Sequence, residues 1–308
     1  MPPSTVPAKC ANPKCPTAPD ANPTLLRCAR CRVAQFCSGD CQKASWAEHK
    51  KNCTRPNYII EFHLAPGKIT DPPVKRTLSC PADATFAELS LNLQDAFGWN
   101  FHHSYDFAVL DPSFDLAANA FQMVQNRMAM IRDGTNMNPA SARREYVMRV
   151  THKEYRIDSM HEGMRRHPRT LEKPGAKFKL WQMFDNEEWK DLKKVYTYDF
   201  GDNWEHYMTV VGREPATWVD EFHCLAGEGH WVAEDVGGIK GWNKLKEAYA
   251  AANPTQEQRD KIKWYENDCP NSDPKGLRGD RVNFFDLGYI DRLLSGEEPV
   301  NFGTPRRG

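Results

Sequence analysis

Cys28-Ala29-Arg30-Cys31-Arg32-Val33-Ala34-Gln35-Phe36-Cys37-Ser38-Gly39-Asp40-Cys41-Gln42-Lys43-Ala44-Ser45-Trp46-Ala47-Glu48-His49-Lys50-Lys51-Asn52-Cys53 is the stretch that decides how the start of this chain folds. It holds three close pairs, Cys28 with Cys31, Cys37 with Cys41, and His49 with Cys53; a fourth, Cys10 with Cys15, lies upstream. Of the ten cysteines only Cys80, Cys224 and Cys269 fall beyond this region. Met1 to Lys9 lacks the apolar run of a secretory signal, so the expected compartment is reducing and metal ligation is favoured over disulfides. Four pairs supply eight ligands, the count for two tetrahedral zinc ions. Ser38 to His49 reads as a helix capped by Ser38, and the spacing of His49 and Cys53 puts both on one helical face. Arg32 to Cys37 reads as a short strand before it.

The run Phe36-Cys37-Ser38, Cys41-Gln42-Lys43, Trp46, His49-Lys50-Lys51 and Cys53 resembles the MYND-type zinc finger. The resemblance implies that the first and third pairs share one zinc and the second and fourth the other. Carried over, Cys10, Cys15, Cys37 and Cys41 hold the first ion, and Cys28, Cys31, His49 and Cys53 the second. One departure from the family pattern is the first pair, which has four intervening residues instead of two. Fingers of this family recognise short proline-rich segments lying extended against them, a form of strand addition. By family position Gln42 would offer an amide to such a peptide and Trp46 an indole face to its prolines; the alternative for Trp46 is a small core over the second zinc.

Charge sets limits on partners. The whole chain balances 41 Lys/Arg against 41 Asp/Glu, but residues 1–54 carry eight against three, a net of +5. Seven thiolates and two Zn2+ reduce that to roughly +2. A finger this weakly charged does not look like a nucleic-acid binder. Few apolar residues remain in it, so metal is expected to supply most of its folding energy. No segment approaches the ~18 continuous apolar residues of a membrane span. These features together read as a soluble intracellular protein, of cytoplasm or nucleus.

After a disordered start (1–9), the finger (10–53) and a polar linker (54–57), a different pattern begins. Tyr58, Ile60, Phe62 and Leu64 alternate with less apolar residues, as in a strand. Thr85-Phe86-Ala87-Glu88 fits a capping box, with Phe86, Leu89, Leu93 and Phe97 at helical spacing and Gly98 as terminator. Further strands are read at Tyr105 to Leu110, Tyr146 to Thr151, Val195 to Phe200 and His206 to Val211. A helix is expected from Asn253-Pro254-Thr255-Gln256 with the proline at its first position, and another near Phe285 to Leu294. The irregular order favours an α+β domain with a mainly antiparallel sheet.

Tyr196-Thr197-Tyr198-Asp199-Phe200-Gly201-Asp202-Asn203-Trp204-Glu205-His206 and Ala233-Glu234-Asp235-Val236-Gly237-Gly238 stand out. With Phe97-Gly98-Trp99, His103, Phe107 and Cys224-Leu225-Ala226-Gly227 they resemble the plasmid third-reading-frame family, also found beside transposon genes. The resemblance spans residues 58–301, leaves 302–308 as a tail, and implies a compact α+β domain without naming an activity. Val232 and Ala233 replace the family's prolines, and an insertion occupies 111–144.

Asp199, Asp202, His206, Glu234 and Asp235 could converge on a pocket that binds metal and supports hydrolysis, making the second domain a metal-dependent hydrolase or nuclease. Against this, Asp199 to Asn203 is what a tight hairpin turn demands, with Gly201 and Asn203 able to take positive φ, and Gly237-Gly238 reads as a turn. His223, Cys224, His230 and Cys269 lack the paired spacing of a third site. The tryptophans from Trp181 to Trp264 have no interleaved basic run, and read as packing residues instead of a nucleic-acid platform. No SET-domain signature accompanies the finger, so methyltransferase activity is not expected. The favoured reading is a zinc-held protein-interaction module on a domain without assigned activity, leaning away from an enzyme.

Overall fold

The structure is a computed structural model that describes residues 9–16, 24–114, 145–152, 169–216 and 221–297. The insertion at 111–144 falls largely outside the described residues, as do most of the starting segment and the tail. Two compact units emerge: Met1–Asn57 with Arg213–Asp220, and Tyr58–Gly212 with Glu221–Gly308.

The first unit is built around a two-stranded antiparallel ribbon, β1 (Leu26–Arg27) and β2 (Gln35–Phe36), and the helix α1 (Gly39–His49). Ser38 is extended and its hydroxyl accepts from Cys41 N at 3.1 Å, so the helix starts where a serine cap dictates. A 3-10 turn, Lys50–Asn52, carries the chain on to Cys53. The buried cluster here is Cys28, Cys31, Phe36, Cys41 and Cys53, four ligand residues and one ring.

The second unit is an eight-stranded sheet with helices. Its strands are β3 (Asn57–Leu64), β4 (Val74–Cys80), β5 (Tyr105–Leu110), β6 (Tyr146–Thr151), β7 (Leu171–Pro174), β8 (Lys194–Tyr198), β9 (Trp204–Glu214) and β10 (His223–Glu228). Their order is β10-β4-β3-β9-β8-β5-β6-β7. The β10–β4, β4–β3, β9–β8, β8–β5 and β5–β6 ladders are antiparallel, and β6–β7 is parallel. The helices are α2 (Phe86–Phe97), α3 (Leu180–Phe184), α4 (Gly238–Ala250), α5 (Gln256–Asn267) and α6 (Leu287–Leu294). This is the α+β architecture with a mainly antiparallel sheet that the element order implied.

Alternation explains which face carries the core. In β3, Tyr58, Ile60, Phe62 and Leu64 are buried while Ile59, Glu61 and His63 are only half-buried. Cross-strand register then lines up Val150, Phe107, Tyr196 and His206 in one row, and Tyr105, Tyr198 and Trp204 in the next. Phe86, Leu89 and Leu93 of α2 pack into the same cluster. On the other face Arg149 is sealed against Asp106 at 2.7 Å and reaches Glu172 at 3.0 Å.

Three local expectations are corrected. Thr255, not Pro254, governs the start of α5: its hydroxyl caps Gln258 N and Gln258 caps back, which leaves Pro254 outside the helix. In the hairpin between β8 and β9 positive φ falls on Asp199 (55°) and Asn203 (57°), and Gly201 does not need it. Gly237 and Gly238 do turn the chain (φ 91° and 65°), but α4 begins in that turn.

Candidate metal centres

In the finger, the hairpin, the capped helix and the 3-10 turn gather two four-ligand nests, Cys10/Cys15/Cys37/Cys41 and Cys28/Cys31/His49/Cys53, with the ligand atoms of each within 4.8 Å of one another. In the first nest Cys15 and Cys41 Sγ lie 3.4 and 3.4 Å from Cys37 Sγ, and 3.7 Å from each other. In the second, Cys28 and Cys53 Sγ are 3.7 Å apart and Cys31 Sγ is 3.7 Å from His49 Nε2. Donors about 2.3 Å from a tetrahedral ion sit roughly 3.8 Å from each other, so both nests have the size that zinc requires. The alternate use of pairs cross-braces the unit, as the family resemblance implied. Cys10, despite its wider spacing, joins the first nest and also accepts Cys37 N at 3.4 Å.

The surroundings of Cys28 favour thiolate, whereas burial and neighbouring thiols push Cys41 and Cys53 up. Burial pushes the Cys28 thiol up, but the backbone N–H groups of Cys31 and Arg30 together with His49 and Cys53 outweigh it and bring the thiol down to about 6. Gln42 Nε2 donates to Cys28 Sγ at 3.5 Å, so this side chain supports a ligand from behind. Trp46 packs edge-on against His49 (centroids 5.7 Å apart) and still leaves 40% of its surface exposed.

In the second unit the structure separates the five pocket residues. Asp199, Glu234 and Asp235 come together around a residue outside the expected five, His103, on the loop that follows α2. Its Nδ1 is 3.7 Å from Asp199 Oδ1, and its Nε2 is 3.2 Å from Asp235 Oδ1 and 3.9 Å from Glu234 Oε1. Nothing in the local spacing of His103 marks it, because its partners lie 96 to 132 residues away in sequence. Asp202 stands beside the cluster with Oδ2 accepting Gly237 N at 3.1 Å, which ties the hairpin to the start of α4. Gly238 is needed there, since a Cβ on it would lie 2.8 Å from Asp202 O. His206 is elsewhere: alternation along β9 turns it into the aromatic core, 4.4 Å from the Phe97 ring, with Nδ1 against Tyr196 O.

Glu234 is fully buried. Tyr198 donates its hydroxyl to Oε1 at 2.5 Å and Asn100 N to Oε2 at 3.1 Å. Burial nevertheless pushes its carboxyl above the usual range, and the same cause raises Asp202. His223 pairs with Asp291 and His230 with Asp273, and Cys269 Sγ bonds Asn271, so these residues are committed separately.

Comparisons with known proteins follow the same division. The model of the MYND finger matches residues 8–53, and that of the plasmid pRiA4b ORF-3-like protein matches residues 62–278. An uncharacterized protein, y4hQ, of Sinorhizobium fredii is 27% identical over 205 residues, 66% of this chain and 77% of its own. The MYND-type zinc finger protein samB of Emericella nidulans is 42% identical over 48 residues, 16% of this chain and 8% of its own. Human histone-lysine N-methyltransferase SMYD3 is 55% identical over 29 residues, 9% of this chain and 7% of its own. The last two likenesses cover a small part of this chain and of those proteins. No helix among the described residues is long and apolar enough to cross a membrane. The finger is a zinc-binding protein-interaction module, and the chain belongs to the plasmid pRiA4b ORF-3-like protein family.

Proposed function

We propose that the finger captures an extended, proline-rich peptide of a protein partner, with Trp46 as the platform for its prolines and Gln42 beside it. The observation that carries this reading is the indole of Trp46, held by a metal-ligand histidine on one side and open on the other. A rigid, half-exposed indole loses little entropy on binding and suits the flat face of proline. Leu26 and Val33, 57% and 70% exposed on the hairpin, add apolar surface on the same unit. On β2, Gln35 O already accepts Ala11 N at 2.7 Å. By the alternation of the ladder the Arg27 N–H and C=O point away from β2, which makes β1 the edge for strand addition.

The test is Trp46→Ala. Titrating a fluorescent proline-rich peptide should show binding lost, at least about tenfold weaker and worth more than ~1.4 kcal/mol, while metal analysis still finds two zinc ions per chain. Zinc lost together with binding would instead make Trp46 a core residue over the second nest and remove the support for a peptide platform.

A further inference from the structure

We propose that His103, Asp199 and Asp235 form a third metal site, distinct from the finger, that binds a divalent first-row transition ion with Glu234 beneath it. Three separate chain segments bring the groups together: the loop after α2, the β8–β9 hairpin and the loop before α4. Their ligand atoms lie within 4.8 Å of one another. The charge around them is unbalanced. Among the described residues the ion-pair partner of Asp199, Glu234 and Asp235 is His103 alone, and no lysine or arginine reaches any of them. One imidazole cannot balance the carboxylates around it, and both of its nitrogens face carboxylate oxygens, so a bound divalent cation would complete the charge of the cluster.

The donor set selects among cations. Mg2+ and Ca2+ take oxygen ligands, whereas imidazole suits the first-row transition ions, and one imidazole with carboxylates fits Mn2+, Fe2+ or Zn2+. The site is closed on one side by Glu234, with no exposed surface, and open on the other through Asp235, which is 50% exposed. Such an ion keeps coordination positions for water or for the oxygen of an anionic ligand.

Mn2+ is the probe, because it stands lowest in the affinity order and leaves thiolate-bound zinc in place. The zinc-loaded full chain, titrated with Mn2+ and followed by the loss of the free-ion electron paramagnetic resonance signal, should bind one Mn2+ per chain. Asp235→Asn and Asp199→Asn should each weaken it by at least about tenfold, with zinc content unchanged at two. Asparagine tolerates the positive φ of Asp199, and its amide oxygen can still accept Gly201 N, so that variant keeps the hairpin. Asp235 is half exposed, and its variant carries the test should Asp199→Asn lower the melting temperature. No stoichiometric Mn2+ binding, or equal affinity in the variants and the parent, overturns the proposal. Neither result bears on peptide capture by the finger.

Discussion

His206 shows at the scale of one residue how burial changes chemistry. It sits in the row Val150, Phe107, Tyr196, His206, and its Nε2 has no hydrogen-bond partner among the described residues. Burial drives its pKa down to about 3, against the Tyr196 and Trp204 backbone groups that favour the charged ring. The folded protein therefore holds His206 neutral, whereas the unfolded chain protonates it near pH 6.5. Between those values only the unfolded state takes up the proton. Its contribution to stability is complete above about pH 6.5 and falls by roughly 1.4 kcal/mol per pH unit as the solution is acidified toward pH 3. Urea midpoints measured at pH 7 and pH 5 should show this loss in the parent and a smaller one in His206→Leu; identical pH slopes would contradict it. Arg76 poses the opposite difficulty for sequence reading. It occupies a core-face position of β4, fully buried, donating to the carbonyls of Ala96, Lys75, Glu228 and Gly229 and lying over the rings of Phe97 and Phe285. Burial lowers it to about 10, which still leaves it charged at neutral pH. An arginine where alternation calls for an apolar residue hid the strand Val74–Cys80 from the sequence, since its four carbonyl acceptors are set by tertiary structure.

Among the elements, those with their own start and stop signals were readable and those without were not. For α2 the signals are complete. Thr85 Oγ1 accepts Glu88 N at 3.2 Å, Glu88 Oε2 accepts Thr85 N at 2.6 Å, and Gly98 closes the helix in the left-handed region at φ 72°. Thr85→Ala removes one half of this exchange and should cost about 1 kcal/mol, read as a lower urea midpoint with unchanged slope; a midpoint equal to the parent's would assign the start of α2 to its packing alone. The start of α4 lacks such chemistry. Gly237 caps it without a side chain, and the helix is positioned by Asp202 from the neighbouring hairpin. Two glycines therefore read as a turn, and the helix that grows from it was missed. The strand β10 was missed for a related reason. Its Leu225 and Ala226 are exposed, so the alternation expected of a half-buried strand is blurred, and a register shift between Cys224 and Ala226 blurs it further. The acidic cluster was half legible: the two carboxylate runs were visible as motifs, but the histidine they meet was not, because it comes from a third segment whose approach depends on how α2 packs.

At the scale of the whole molecule the chain joins two ways of being stable. The second unit has an extensive apolar core that includes Trp99, Trp204 and Trp242, all essentially without exposed surface. Burial of that kind contributes roughly 25 cal/mol per Å2 and needs no metal. Among the described residues the buried apolar cluster of the finger is one ring, Phe36, and four of its own ligands. Folding free energy in such a unit is the free energy of binding zinc, on the order of 10 kcal/mol or more for a site of this type. The concentration of cysteine in the first 53 residues made this asymmetry visible from sequence. Removal of zinc by a strong chelator should therefore act on one unit. Proteolysis should become rapid within the finger, near Arg27, Arg30 and Lys43, while the melting temperature of the remainder and the near-ultraviolet signal of its buried tryptophans stay where they were. If chelation instead lowers that melting temperature and dissolves the tryptophan signal along with the finger, zinc stabilises the α+β unit as well, and the division into a metal-held and an apolar-packed part fails.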